Sequence, residues 1–218
     1  MTEIILSRFF HDRRPVAVRP LAVLVLVLAG VGTFTAAVAV PFVTLDERAA
    51  AYGARFPWLL THIVFGTIAL LTGPVQLWLG LSAKTVAALH RTLGRVYVAS
   101  VAVGAFTSLY LAFHTTHGLV FGAGLAGLAV AWLATTGMAV VAVRELAIYQ
   151  HREWMIRSYV VTFGFVFFRI FFAGTEAMGI GTTAERLGAA AWFGWAVALM
   201  LTEPVLQWRR VRGQSSPT

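Results

Sequence analysis

The chain has 218 residues, of which 59% are hydrophobic and only 12% charged. So few charges cannot cover a soluble domain of this length, which excludes a water-soluble globule and predicts an all-α polytopic membrane helix bundle. The formal net charge of +8 does not signal nucleic acid, because the basic residues lie between apolar segments rather than on one face or tail, and the absence of cysteine excludes disulfides, thiolate metal sites and cysteine nucleophiles.

In chain order, residues 1–20 form an N-tail in which Arg8, Arg13 and Arg14 precede an apolar run. This imitates a secretory signal with a paired-arginine element. The run Leu21–Phe42 is too long for a signal core, however, and the residues after Arg14 do not fit the twin-arginine pattern, so it reads as a retained first helix. Five more apolar segments follow: Trp58–Leu81, Val96–Phe113, Leu119–Val143, Tyr159–Gly174 and Leu187–Thr202. At about 1.5 Å per residue each is long enough to span a bilayer, the fifth only marginally. Their continuity, without alternation, excludes barrel strands and gives about six transmembrane helices. No linker, low-complexity block or duplication interrupts them, so residues 21–208 form one transmembrane domain followed by a C-tail, 209–218.

Cytoplasmic loops are enriched in Lys and Arg. Thirteen of the seventeen basic residues fall in the N-tail, the second-to-third connection (Lys84, Arg91, Arg95), the fourth-to-fifth connection (Arg144, Arg152, Arg157) and the C-tail. The opposite side holds Arg48, Arg55 and Arg186, and Arg169 lies inside a span. The expected topology is therefore N-in and C-in, in the plasma or inner membrane, with the basic side termed inner below.

Three segments carry polar or small faces. In the second, His62, Gly66, Ala69, Gly73 and Gln76 recur at three- and four-residue spacing; the third repeats the pattern with His90, Gly94, Tyr97, Val101, Gly104 and Ser108; the fifth has His151, Met155, Ser158, Thr162, Phe165 and Arg169. Glycine one turn from histidine, at Gly66 and Gly94, leaves a hollow beside the imidazole for a neighbouring helix or a flat cofactor, although small-residue packing explains the same spacing without a ligand. A guanidinium within a span is costly and normally faces the bundle interior with a partner. Arg169 matches His62 in depth, roughly 6–9 Å from the outer end, and Glu176 lies two turns beyond it; snorkelling or an interhelix salt bridge is the alternative. The expected polar interior includes Gln76, Tyr97 and Glu176. The second, third and fifth segments are expected to be mutual neighbours, with His62, Gly104 and Arg169 facing inward and the first and sixth segments more peripheral. On the inner side, His90, Arg91, Arg95, His151, Arg152 and Arg157 flank the third and fifth segments, as anion contacts or as anchors to anionic lipid.

These residues resemble a family of uncharacterised membrane proteins, domain of unknown function 2306. The resemblance runs through His62-x-x-x-Gly66, Leu71-Thr72-Gly73-Pro74-Val75-Gln76, His90-Arg91-x-x-Gly94-Arg95-x-Tyr97 and His151-x-x-Trp154-Met155-x-Arg157-Ser158, then Arg169. It covers about half the chain, in order, and implies a fold without an activity. A second resemblance is architectural, to two-haem cytochromes b of the ascorbate-linked type, which hold one haem between the second and fourth helices and another between the third and fifth. That resemblance implies His62 and His117 as outer ligands, His90 and His151 as inner ligands, haem b as cofactor, and Arg169, Arg91, Arg95 and Arg157 as anion contacts to propionates. His90 and His151 precede their apolar runs, and His117 has a competitor in His114.

Three readings stand side by side: a b-type haem protein moving electrons across or along the membrane, with His90 and His151 the better ligand pair, a non-redox small-molecule binding or transport protein, and an accessory or assembly subunit using stripes such as Ala123 and Gly127. The expected surroundings are lipid, with a membrane-protein partner or homo-oligomer left open. Whether the chain is an enzyme stays undecided, since it lacks a spaced Ser/His/Asp set and a His-Glu-x-x-His motif.

Overall fold

The computed structural model describes residues 18–44, 46–81 and 87–214. Residues 1–17, with Arg8, Arg13 and Arg14, residue 45, the connection 82–86, with Lys84, and residues 215–218 lie outside that description. The elements are α1 (Val18–Thr44), α2 (Asp46–Tyr52), a 3-10 turn (Gly53–Arg55), α3 (Phe56–Leu81), α4 (Ala87–Phe113), α5 (Leu119–Arg144), α6 (Ile148–Ala177), α7 (Thr183–Trp192), a π turn (Phe193–Val197) and α8 (Ala198–Gln214). Six stretches are long and apolar enough to cross a membrane: Leu21–Pro41, Ala50–Gly80, Ala87–Phe113, Leu119–Arg144, Ile148–Ala177 and Thr183–Val211. Large apolar side chains such as Leu26, Phe106, Leu119, Met200 and Leu201 stand exposed, which suits a lipid solvent.

Two helices start earlier than the apolar runs suggest. α4 begins at Ala87 rather than near Val96, and α6 at Ile148 rather than Tyr159. The added turns carry Arg91, Arg95 and Arg152, all exposed, as suits side chains that can lay an apolar stem on a helix and carry the charge to an interface. His90 and His151 consequently sit within helices and not in loops.

α3 packs against α4, α4 against α5, α5 against α6, and α3 also touches α6, while α1 rests on α2 and α3. α4 and α6, expected to be direct neighbours, are not packed along their lengths, because α3 and α5 each pack against both; they are joined where the Tyr97 hydroxyl reaches Ser158 and Thr162. The first span is the least buried, as expected, whereas the sixth is buried as much as the second. The reason is small-residue contact: a Cβ at Gly124 would lie 2.7 Å from Ala191 Cβ, one at Gly127 would lie 2.8 Å from the Trp195 ring, and one at Gly194 would lie 2.7 Å from the Gly164 carbonyl oxygen. Gly127 is thus occupied by this chain's own tryptophan.

At the centre, Tyr97 is fully buried, with its hydroxyl 2.8 Å from both Ser158 Oγ and Thr162 Oγ1. Trp132 donates its indole N–H to Thr162 Oγ1 at 2.8 Å, and Thr136 Oγ1 lies 2.6 Å from Ser158 Oγ. The result ties α4, α5 and α6 together with every hydroxyl partnered, as an apolar medium demands. A second lock explains the Gly73-Pro74 pair. Pro74 has no N–H to offer the carbonyl of Leu70 one turn back. The Tyr159 hydroxyl donates to that carbonyl at 3.2 Å, and its ring lies in the space a Cβ at Gly73 would fill. Gln76, buried beside Gly94, donates to the His90 carbonyl at 2.8 Å and joins α3 to the start of α4.

Candidate functional site

In the outer half the helices do not close on one another. They leave a cavity of about 550 Å³ that reaches all six spans, from Thr35 on α1 to Gly194 in the π turn. Its volume lies within the roughly 300–1,000 Å³ of small-molecule and cofactor sites. Two local departures from α geometry border it, the 3-10 turn at Arg55 and the π turn at Gly194. The π turn places Gly194 against Gly164, and such turns often occur at functional sites. Gly66, one turn below His62, faces the cavity with nothing within 4 Å of an added Cβ, so the hollow expected there is open.

His62 is the best-defined polar group of the lining. Its Nδ1 lies 2.9 Å from the Gly104 carbonyl oxygen. A carbonyl only accepts, so Nδ1 carries the proton and the neutral ring keeps its lone pair on Nε2. Gly104 itself is held in place: the Trp132 ring would lie 3.1 Å from a Cβ there, and Thr107 Oγ1 donates to the same carbonyl at 3.0 Å. His117, in the α4–α5 loop, also lines the cavity and meets Phe121 edge-on at 5.5 Å between centroids. His114 does not line it; its ring stacks on Tyr110 at 4.1 Å, and its carbonyl accepts from Arg55 Nη1 at 2.7 Å.

Arg169 and Arg55 complete the charged lining among the described residues. The Arg169 guanidinium sits 5.5 Å from the centroids of both Phe165 and Phe168, each of which also lines the cavity. His62 and Arg169 therefore share one cavity on adjacent helices, as their matched depths suggest. Glu176 departs from expectation. It is exposed at the outer end of α6 and pairs with Arg186 at 3.8 Å, because α6 ends at Ala177 and the chain returns Arg186 toward it.

The inner residues are arranged differently. His151 Nδ1 donates to the Ala139 carbonyl at 2.9 Å, and His90 Nδ1 is buried without a hydrogen-bond partner. The hollows near them are filled: Gln76 occupies the space beside Gly94, Tyr159 that beside Gly73, and His90 itself packs over Gly80. Arg91 and Arg95 point to the surroundings. Arg157 is buried and engaged, its Nε 2.6 Å and Nη2 2.8 Å from the two Glu203 carboxylate oxygens, with Glu153 at 3.8 Å and Trp154 beneath its guanidinium. Arg210 pairs with Glu153 in turn. This four-membered ion network joins α6 to α8. Glu153 and Glu203 carried no sequence expectation, although Glu153 stands four residues before Arg157 and Glu203 follows directly on an apolar run. Among the described residues no group of three or more His, Cys, Asp or Glu is placed to hold a bare metal ion.

No curated protein and no solved structure shows a match to this chain. A protein-family match does cover residues 59–206, from the start of α3 into α8, and thus includes most of the cavity wall but not α1. On that match the chain belongs to the family of predicted membrane proteins DUF2306.

Proposed function

We propose that this membrane protein binds one b-type haem in the outer cavity and takes part in membrane electron transfer. The observation that carries the reading is that His62 and His117, from different segments, line a single cavity, with His62 oriented by Gly104 so that Nε2 is its free nitrogen. A backbone carbonyl on the distal ring nitrogen is the usual support of a ligating histidine. The open hollow at Gly66 leaves room for a flat ring, and Arg55 and Arg169 are the cations suited to propionates. When bound, haem supplies a one-electron couple. The inner histidines have comparable nitrogens but no open hollow, which favours one haem over two.

A reduced-minus-oxidised spectrum of protein expressed with ample haem tests this. The expected result is a Soret and α-band signal at one haem per chain; absence of both bands sinks the proposal. A second reading, binding of a non-redox amphipathic anion, is favoured by a lining whose charged side chains, among the described residues, are all cationic. That ligand would co-purify without a haem spectrum.

A further inference from the structure

Threonines within these helices generally return their hydroxyl to a carbonyl one turn back: Thr61 to Pro57, Thr72 to Ile68, Thr107 to Val103 and Thr135 to Ala131, all within 2.9 Å. Thr35 does not. It is 5% exposed, its Oγ1 is buried without a hydrogen-bond partner, and it lies on the α1 wall of the outer cavity. A hydroxyl left unsatisfied in an apolar medium is costly. The surrounding contacts of α1 are apolar, with Val31 packed against Leu70 and Val166, and Phe34 edge-on to Phe165 at 6.3 Å. They offer Thr35 nothing to bond.

We propose that α1 is a working wall of the site and that the Thr35 hydroxyl donates a hydrogen bond to an oxygen of the cavity's occupant, a carboxylate in the first instance. This rests on the reading that the cavity holds a ligand. It assigns a specificity-determining contact to a helix that lies before the family-matched residues. Such a hydrogen bond changes retention of the occupant by a factor of about 3–10.

Thr35→Val removes the hydroxyl at nearly constant volume, and Thr35→Ser keeps it. Haem-loaded full-length protein is mixed with excess apomyoglobin and the rate of haem transfer is read. The expected result is a Thr35→Val rate about 3–10-fold faster than wild type, with Thr35→Ser within about twofold. Equal rates for wild type and Thr35→Val overturn the Thr35 contact and leave the haem reading standing. If wild type takes up no haem, the haem reading fails by itself and Thr35 is judged by a second arm. The chain has no cysteine, so Thr35→Cys introduces its one thiol. Modification of that thiol by a small maleimide, slowed by added oleate, supports the wall contact; no modification, or a rate unchanged by oleate, overturns it.

Discussion

Gly73→Ala is expected to be far more costly than a glycine-to-alanine change in a helix should be. Alanine is favoured over glycine within a helix by about 1 kcal/mol, so the change alone would stabilise α3. The added methyl, however, would fall inside the Tyr159 ring, with even the more distant Cζ only 3.0 Å away. Forcing the ring aside costs about 1–3 kcal/mol of overpacking. It also withdraws the hydroxyl from the Leu70 carbonyl that Pro74 leaves unpaired, a bond worth about 0.6–1.7 kcal/mol between membrane helices. The net cost is about 1–4 kcal/mol. In a Tyr159→Ala background the overlap disappears and only the propensity gain remains, so the same substitution becomes neutral or mildly stabilising. The two sites should therefore couple by roughly 2–4 kcal/mol in a double-mutant cycle read by SDS titration in mixed micelles. Additivity within about 0.5 kcal/mol would refute the lock between Gly73, Pro74 and Tyr159.

Glu203→Ala should destabilise by about 1–3 kcal/mol in the same titration, because it removes both short hydrogen bonds of the buried Arg157 and leaves the more distant Glu153, at 3.8 Å, as its neighbouring carboxylate. Replacing both Arg157 and Glu203 with apolar residues should cost less than the sum of the two single changes. Tyr97→Phe removes the hydroxyl that bridges Ser158 and Thr162 and should cost about 0.6–1.7 kcal/mol; no loss would show that the network adds nothing to stability. For orientation, the cysteine-free chain permits single cysteines at Thr116 and Arg91, probed on intact cells with a membrane-impermeant maleimide. Thr116→Cys should label and Arg91→Cys should not, and the reverse pattern would invert the topology.

The spans were readable because continuous apolar runs have one common solution in lipid, but their starts were not. The charged turns before Val96 and Tyr159 interrupt the hydropathy of α4 and α6 without interrupting their hydrogen bonds. The shared cavity of His62 and Arg169 was readable from depth, since equal distances from helix ends place residues at equal height. Glu176 failed that logic because depth along a helix says nothing about which neighbour returns to meet it, and Arg186 does. Gly73 was readable as small, yet its partner lies 86 residues on and no local pattern points to Tyr159. The ion network was hidden for a related reason: Arg157 resembles any inner anchoring arginine until α8 brings Glu203 against it. Thr35 is the opposite case, an unremarkable residue in an apolar run whose interest arises only from the hydrogen bond it lacks.

The proposed single haem at the outer cavity is decided by measuring haem content and α-band absorbance for wild type, His62→Ala, His117→Ala, His90→Ala and His151→Ala, each expressed with ample haem. The expected result is about one haem per chain in wild type, its loss in the His62 and His117 variants, and its retention in the His90 and His151 variants. No haem in wild type, or loss confined to the His90 and His151 variants, would contradict it.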